Sequence, residues 1–370
     1  MTATSIEWTD RSWQVTAGCT KVSAGCAHCY AEPLMGRQAA MAVADRERGR
    51  HPGRKAIALR VVNQRPGTGR DGYGPKSGWN RKVVTLDHRL GDPLKWRKPA
   101  RVFVNSESDL FHEDVPFEFI DRVFAVMNAT HIFPPKNGDE KAKPWHTYQV
   151  LTKRPERMAE YLASRGPKRY PQGDWPIFRV RGDVFRGMGP AIMNAAGVGL
   201  WPLPNVWLGT SVEDQAAADA RIPHLLNCPA AVRFLSCEPL LGPVDVSAFV
   251  SVSKLQRRDR LSYSQARREV DRHWLILGGE SGPGARPCDV AWLRSLVEQG
   301  KAGGVPVFVK QLGANVVSSF DEWNDGTRTD GRLDGDVMHW QLADRKGGDP
   351  DEWPIDLRVR EFPTTESSPA

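Results

Sequence analysis

Short apolar runs rich in β-branched and aromatic residues recur along the chain, each closing on small polar or charged residues. They are Val102-Phe-Val-Asn-Ser106, Tyr148-Gln-Val-Leu-Thr-Lys153, Val206-Trp-Leu-Gly-Thr-Ser211, Val232-Arg-Phe-Leu-Ser236, Trp274-Leu-Ile-Leu-Gly278 and Val307-Phe-Val-Lys310. Most are followed by an amphipathic stretch, so strands alternate with helices, a pattern that implies parallel pairing in a barrel or a doubly wound sheet. Trp13-Gln-Val-Thr16, ending at Ala17-Gly18, adds a first strand. The expectation is an α/β chain: a partial (β/α) barrel of about six to seven parallel strands with basic insertions, its barrel domain over 1–315 and a C-terminal extension over 316–370. The last residues, from Thr364, read as a frayed tail.

Between the first strand and a helix-forming stretch from Tyr30 lies Cys19-Thr-Lys-Val-Ser-Ala-Gly-Cys26-Ala-His-Cys29, which puts three thiols in one loop. Two chemistries compete for them. A structural zinc usually takes four protein ligands, which here would need His28 or a distant cysteine; an iron–sulfur cluster held by three cysteines leaves one iron open to a small molecule. Disulfides fit less well, because no signal peptide or long apolar run precedes the loop and a cytoplasmic, reducing compartment is expected, with no membrane contact. Cys228, Cys237 and Cys288 stand singly and read as buried packing residues.

Charge changes the picture in one respect. The chain carries 51 Lys+Arg against 44 Asp+Glu, a net +7, an excess that permits nucleic-acid binding without requiring it. The cations gather in segments that interrupt the strand rhythm, about 46–101, with Arg46, Arg48, Arg50, Arg60 and others, and about 251–272, with Arg257, Arg258 and Arg260. A further insertion, about 165–204, has no clear periodicity. Each basic segment is either a solvated surface or a contact for a polyanion.

The strands also end alike. After the apolar runs come Asn105-Ser-Glu-Ser-Asp109, Lys153-Arg154, Thr210-Ser-Val-Glu213, Ser236-Cys-Glu238, Gly279-Glu280-Ser281 and Lys310-Gln311. In a parallel barrel those ends share the face on which active sites are built, and the cysteine loop belongs to the same face. Any one of them could be ordinary capping chemistry; six together exceed what caps require.

A cysteine loop after the first strand of a partial barrel resembles the radical S-adenosylmethionine superfamily. More closely, Gly18-Cys19-Thr-Lys-Val-Ser, Asn105-Ser-Glu-Ser-Asp-Leu-Phe-His-Glu-Asp114, Val150-Leu-Thr-Lys-Arg-Pro155, Arg233-Phe-Leu-Ser-Cys-Glu-Pro-Leu240 and Gly278-Gly-Glu-Ser-Gly-Pro-Gly-Ala-Arg286 resemble a phage- and prophage-associated three-cysteine family of unknown function, over about residues 5–315. The resemblance implies a [4Fe–4S] cluster on Cys19, Cys26 and Cys29, with S-adenosyl-L-methionine on its open iron. The superfamily's usual spacing is Cys-x3-Cys-x2-Cys, whereas six residues separate Cys19 from Cys26 here. Its Gly-Gly-Glu follows the second strand, whereas Gly278-Gly279-Glu280 follows the sixth, so no cofactor role is carried to Glu280.

The cofactor's chemistry then suggests roles. Ser106, Ser108 and Asp109, with Glu107 between them, could accept from its ammonium group; Lys153 could pair with its carboxylate; Thr210, Ser211 and Glu213 could hold ribose hydroxyls, leaving Glu238 for ribose or substrate. The expected activity is hydrogen abstraction from an unknown substrate, with a nucleic-acid base or nucleotide as the leading guess and an electron-donor protein as partner. The alternative is a zinc-stabilised nucleic-acid-binding protein without catalysis.

Overall fold

The computed structural model describes residues 4–63, 78–132, 146–165, 202–251, 272–319 and 331–363. The insertion at about 165–204 and the basic stretch at about 251–272 lie almost entirely outside the described residues. In chain order the elements are β1 (Arg11–Trp13), β2 (Thr16–Ala17), α1 (Ala31–Glu47), α2 (Ala58–Val61), β3 (Val84–Thr85), β4 (Ala100–Val104), α3 (Phe117–Ile132), β5 (His146–Thr152) and α4 (Pro155–Arg165). They continue with β6 (Val206–Ser211), α5 (Gln215–Leu226), β7 (Val232–Cys237), β8 (Arg272–Gly278), β9 (Cys288–Asp289), α6 (Val290–Gly303), β10 (Val307–Gln311), β11 (Val316–Ser319), β12 (Gly331–Asp334) and β13 (Val337–Trp340). Seven strands form one sheet in the order β1-β4-β5-β6-β7-β8-β10, the partial (β/α) barrel that the apolar runs predict.

Two compact units divide the chain, Met1–Val206 and Trp207–Ala370. In the first, β1, β4 and β5 pair in parallel, Trp13 opposite Val104 and Val104 opposite Val150. Trp13, Tyr148, Phe111, Phe124 and Tyr161 are its largest fully buried side chains. The first strand lies earlier than the run Trp13–Thr16 suggests, at Arg11–Trp13, and Asn105 is the reason that it stops there. At φ 59° it turns the chain out of β4, its N–H donates to the Trp13 carbonyl (2.9 Å), and its Oδ1 accepts from the N–H groups of Val15 (2.8 Å) and Thr16 (3.2 Å). The side chain takes those donors from the ladder, so β1 stops and Thr16–Ala17 pairs antiparallel with β3 instead.

The described part of the basic segment is folded onto this turn. Ala58, Val61 and Val62 from in and beside α2, with Leu86 beyond β3, bury against Met35 and Ala39 of α1 and Ala17 of β2. Their cations point outward: Arg46, Arg48, Arg50, Arg60, Arg81 and Lys82 are all exposed. Apolar residues at this spacing give the segment its own core, and the charges that dominate its composition are a surface property.

In the second unit β6, β7, β8 and β10 pair in parallel. Gly209 of β6 sits where a Cβ would lie 2.5 Å from the Phe234 ring, so a side chain there would displace the core of β7. Asp214 caps α5 by accepting from Ala217 N–H, and Asp289 caps α6 by accepting from Ala291 N–H, while Gly304 at φ 64° ends α6. Residues after Gly313 join Cys288–Asp289 in a smaller sheet, in which β11 pairs parallel with β9 and antiparallel with β13. Among the described residues no helix is long and apolar enough to cross a membrane.

Candidate functional site

The cysteine loop leaves β2 through Gly18, whose φ of +90° and close approach to the Lys82 carbonyl, 2.1 Å from where a Cβ would stand, exclude any side chain. A single 3-10 turn, Ala24–Cys26, shapes its middle. Lys21 Nζ closes the loop by donating to the Ala27 carbonyl (3.2 Å) and pairing with Glu32 (2.8 Å), and the other oxygen of Glu32 accepts from Trp79 N–H (2.9 Å). Cys19, Cys26 and Cys29 are free and half-buried, whereas Cys228, Cys237 and Cys288 are buried.

Burial pushes the Cys19 thiol up to about 12, with the charge of Asp109 adding to it and the guanidinium of Arg154 opposing. Burial raises Cys29 as well, against the N–H groups of Ala31 and Glu32 at the start of α1, which favour its thiolate. Cys19 and Cys29 each feel the charge of another thiol of the loop, Cys29 for Cys19 and Cys26 for Cys29. Among the described residues no group of three or more His, Cys, Asp or Glu side chains converges closely enough to hold a metal ion.

One residue beyond Cys19, Thr20 is gripped from two strand ends. His112 Nδ1 accepts from Asp114 N–H (3.1 Å), so its Nε2 carries the proton and donates to Thr20 Oγ1 (2.9 Å). Arg154 Nη2 donates to the same oxygen (2.7 Å) and to the Thr20 carbonyl (3.2 Å). The hydroxyl in turn faces Glu113 Oε1 (3.4 Å), and Arg154 Nε binds Glu113 Oε2 (2.9 Å). Burial lowers the His112 pKa, helped by the charge of Arg154, and the ring is neutral as the network requires.

Asp109 is the other anchor of Arg154. Its Oδ1 accepts from Phe111 N–H (2.9 Å) and Thr152 Oγ1 (2.7 Å), and its Oδ2 from Lys153 N–H (3.1 Å) and Arg154 Nη1 (3.2 Å). Asp109 and Arg154 are both buried, at 6% and 5% exposure. The carboxylate is therefore surrounded by donors of its own chain.

Its neighbours in the loop after β4 are occupied in the same way, with one exception. Ser106 Oγ accepts from Gln14 Nε2 (2.5 Å), and its carbonyl accepts from the Tyr30 hydroxyl. Ser108 Oγ lies 2.9 Å from Thr16 Oγ1 and donates to the Thr16 carbonyl (3.0 Å). Glu107 has its N–H on Gln14 Oε1 (3.3 Å), but among the described residues its carboxylate accepts no hydrogen bond. Burial raises its pKa, with the charge of Arg89 opposing.

In the second unit the acidic strand ends are paired with cations of that unit. Glu213, fully buried, accepts from Arg221 (2.8 Å), which also binds the Ser211 carbonyl (2.9 Å). Glu238 is bound by Lys310, and Glu280 is held by Arg286 through its N–H (2.9 Å), Nε (2.9 Å) and Nη2 (2.5 Å). Thr210 and Ser211 are buried in β6.

Sequence reasoning singled out Lys153 and passed over its neighbour Arg154, and it gave Thr20, His112 and Glu113 no role. The signal was present as coincidence of motif: Thr20, His112–Glu113 and Arg154 belong to three of the strings that carry the family resemblance. Only the fold shows that they meet. A family model described as "Protein of unknown function (DUF5131)" matches residues 3–341. No curated protein and no solved structure matches the chain.

Proposed function

The chain belongs to the DUF5131 family, and we propose that its cysteine loop carries radical S-adenosylmethionine chemistry, with a [4Fe–4S] cluster on Cys19, Cys26 and Cys29 and a nucleic-acid base or nucleotide as substrate. The observation that carries this reading is the construction of the loop. Three free thiols, none fully buried, sit between β2 and the start of α1; the loop's main fastenings run through Gly18, Lys21 and Thr20, and the sulfurs add only long contacts, Cys19 Sγ to the Thr20 carbonyl (3.5 Å) and Cys26 Sγ beside Ser23 Oγ (3.8 Å). A loop held that firmly by other means leaves all three thiols for a ligand.

The donor set fits such a cluster. The thiols are soft ligands; Arg154 by Cys19 and the first N–H groups of α1 by Cys29 favour the thiolates, against burial and, at Cys19, the charge of Asp109, so the protons would leave as metal binds. A single tetrahedral ion draws its thiolates to within about 3.8 Å of one another, given a zinc–sulfur bond of about 2.3 Å. A cluster spreads its ligands over separate irons and tolerates the looser grouping found here. When bound, cluster and cofactor would supply one-electron cleavage of a sulfonium C–S bond and a carbon radical that takes hydrogen from the substrate.

The chain's own part is to bind, orient and exclude water. Glu107, beside Ser106 and Ser108, has a carboxylate that accepts no hydrogen bond among the described residues, so it is the acceptor assigned to the cofactor's ammonium group, while Asp109 fixes the backbone that presents it. Lys153 is the cation assigned to the cofactor carboxylate. The assignment of Thr210, Ser211 and Glu213 to the ribose, and of Glu238 to ribose or substrate, rests on the hydroxyl chemistry of the cofactor that the resemblance implies and on their place at the strand ends.

Iron and sulfide analysis of anaerobically purified protein tests the reading. About four irons per chain and a brown colour are expected, against about one zinc and no colour for a zinc-stabilised binding protein. Cys19→Ala, Cys26→Ala and Cys29→Ala should each lose most of the iron, whereas Cys228→Ala and Cys237→Ala should keep it. Full iron in Cys19→Ala overturns the three-ligand assignment.

A further inference from the structure

We infer that Arg60, Arg81 and Lys82 form a cationic rim beside the cysteine loop that binds the phosphates of a nucleic-acid strand. The three are brought together by one hydrogen-bonded unit. Asn80 N–H donates to the Val61 carbonyl (3.0 Å), Asn80 Nδ2 to the Arg60 carbonyl (2.9 Å), and Asn80 Oδ1 accepts from Lys82 N–H (3.0 Å). That unit is fastened to both ends of the loop. The Lys82 carbonyl lies against Gly18, immediately before Cys19, and Trp79 N–H binds Glu32, at the start of α1 after Cys29.

The side chains of all three cations are exposed, and among the described residues none is paired with a carboxylate. Elsewhere in the same segment Lys55 pairs with Asp45 and Arg46 and Arg48 are at the far end of α1, while Lys95, Arg97 and Lys98, though exposed, lie beyond β3 and outside this hydrogen-bonded unit. A helix of 17 residues places that end about 25 Å from Cys29 at 1.5 Å per residue. Arg81 adds a second sign of commitment. It holds φ 64°, a conformation that an arginine adopts at a cost and that sets the direction in which its side chain leaves the backbone. Three exposed cations on one hydrogen-bonded turn beside the cysteine loop, none paired with a carboxylate among the described residues, match the repeating charge of a phosphate backbone, which positions a strand while base contacts elsewhere specify it.

In placing the substrate at the cysteine loop the inference rests on the proposed function; the phosphate contact itself is independent of metal. The test is therefore run on protein with and without reconstituted iron, with a fluorescein-labelled single-stranded DNA oligonucleotide followed by anisotropy across a salt series. Each phosphate contact on a single strand contributes roughly 0.7 to the slope of log affinity against log salt. The triple variant Arg60→Ser/Arg81→Ser/Lys82→Ser should flatten that slope by about two units at unchanged iron content and circular dichroism. The control Arg46→Ser/Arg48→Ser/Arg50→Ser, equal in charge but at or beyond the end of α1 far from Cys29, should change it by clearly less. Equal slopes for the two triples would overturn the rim in favour of a diffuse field, and absence of salt-dependent binding by the intact protein would overturn it outright. Loss of iron in all preparations would count against the cluster and leave the rim standing or falling on the slopes.

Discussion

Asp109 and Lys153 are adjacent in space and opposite in what can be expected of them. Asp109 takes four donors and is buried against Arg154, so removing its charge strands a guanidinium with only the more exposed Glu113 for compensation. Breaking one partner of a buried pair usually costs roughly 3–5 kcal/mol. Asp109→Asn should lower stability to urea unfolding by that order, and a loss under about 1 kcal/mol would mean that the network is not what holds this strand end. Lys153 contributes its backbone N–H to the same carboxylate, and that bond survives truncation of the side chain. Lys153→Ala should therefore fold normally but weaken S-adenosylmethionine binding about ten- to a hundredfold, roughly 1.5–3 kcal/mol for a charge-assisted bond. Calorimetry showing unchanged affinity would return Lys153 to a structural role. Residue type and position along the sequence named both residues; only the hydrogen bonds separate the latch from the candidate ligand.

At the scale of elements, the strand after β1 and the segment after α1 share one fate. Sequence pattern identifies each apolar run as a strand because periodicity and β-branching are local properties. It cannot see that Asn105, distant in sequence, ends β1, or that a segment crowded with arginine folds its few apolar residues onto α1. Gly18 is where those two events meet. Gly18→Ala would place a methyl 2.1 Å from the Lys82 carbonyl at φ +90°, so its cost should exceed the roughly 1–3 kcal/mol of the dihedral penalty alone. Hydrogen exchange should show residues 15–30 opening faster in that variant, and unchanged exchange there would remove Gly18 from its role. The clamp on Thr20 has a pH signature. Because the folded His112 pKa lies below the ordinary 6.5, the unfolded chain takes up the proton first as pH falls. The contribution is intact above about 6.5 and is lost on acidification, by at most about 1.4 kcal/mol per pH unit. His112→Gln should therefore lose less stability than the parent between about pH 7.5 and 5.5, and an equal loss would show that His112 is not the group that titrates.

Across the whole molecule, the fold was legible because six of the seven strands, all but β1, leave an apolar run in their own few residues, whereas the Thr20 clamp depends on contacts between residues 20, 112, 113 and 154 that no window of sequence contains. The same contacts bear on whether a metal at the cysteines would serve the fold or the chemistry. If the loop were a zinc-stabilised element, the metal would supply much of its folding energy; structural zinc in small domains contributes apparent values of roughly 10–16 kcal/mol, and chelation unfolds them. Here Cys19, Cys26 and Cys29 lie on a loop already fastened by the Thr20 clamp, by the Lys21–Glu32 pair and by the close packing of Gly18 against Lys82. The sulfurs carry none of those fastenings and add only long contacts, to the Thr20 carbonyl (3.5 Å) and Ser23 Oγ (3.8 Å). A triple Cys19→Ser/Cys26→Ser/Cys29→Ser variant should then keep its far-ultraviolet circular dichroism and melt within about 3 °C of the parent, a stability change below roughly 1 kcal/mol for a chain of this size. It should bind no iron. Metal-free parent protein should melt with it. A fall of ten degrees or more on metal removal would instead make the ligand a structural one, and the thiols would belong to folding before they belonged to chemistry.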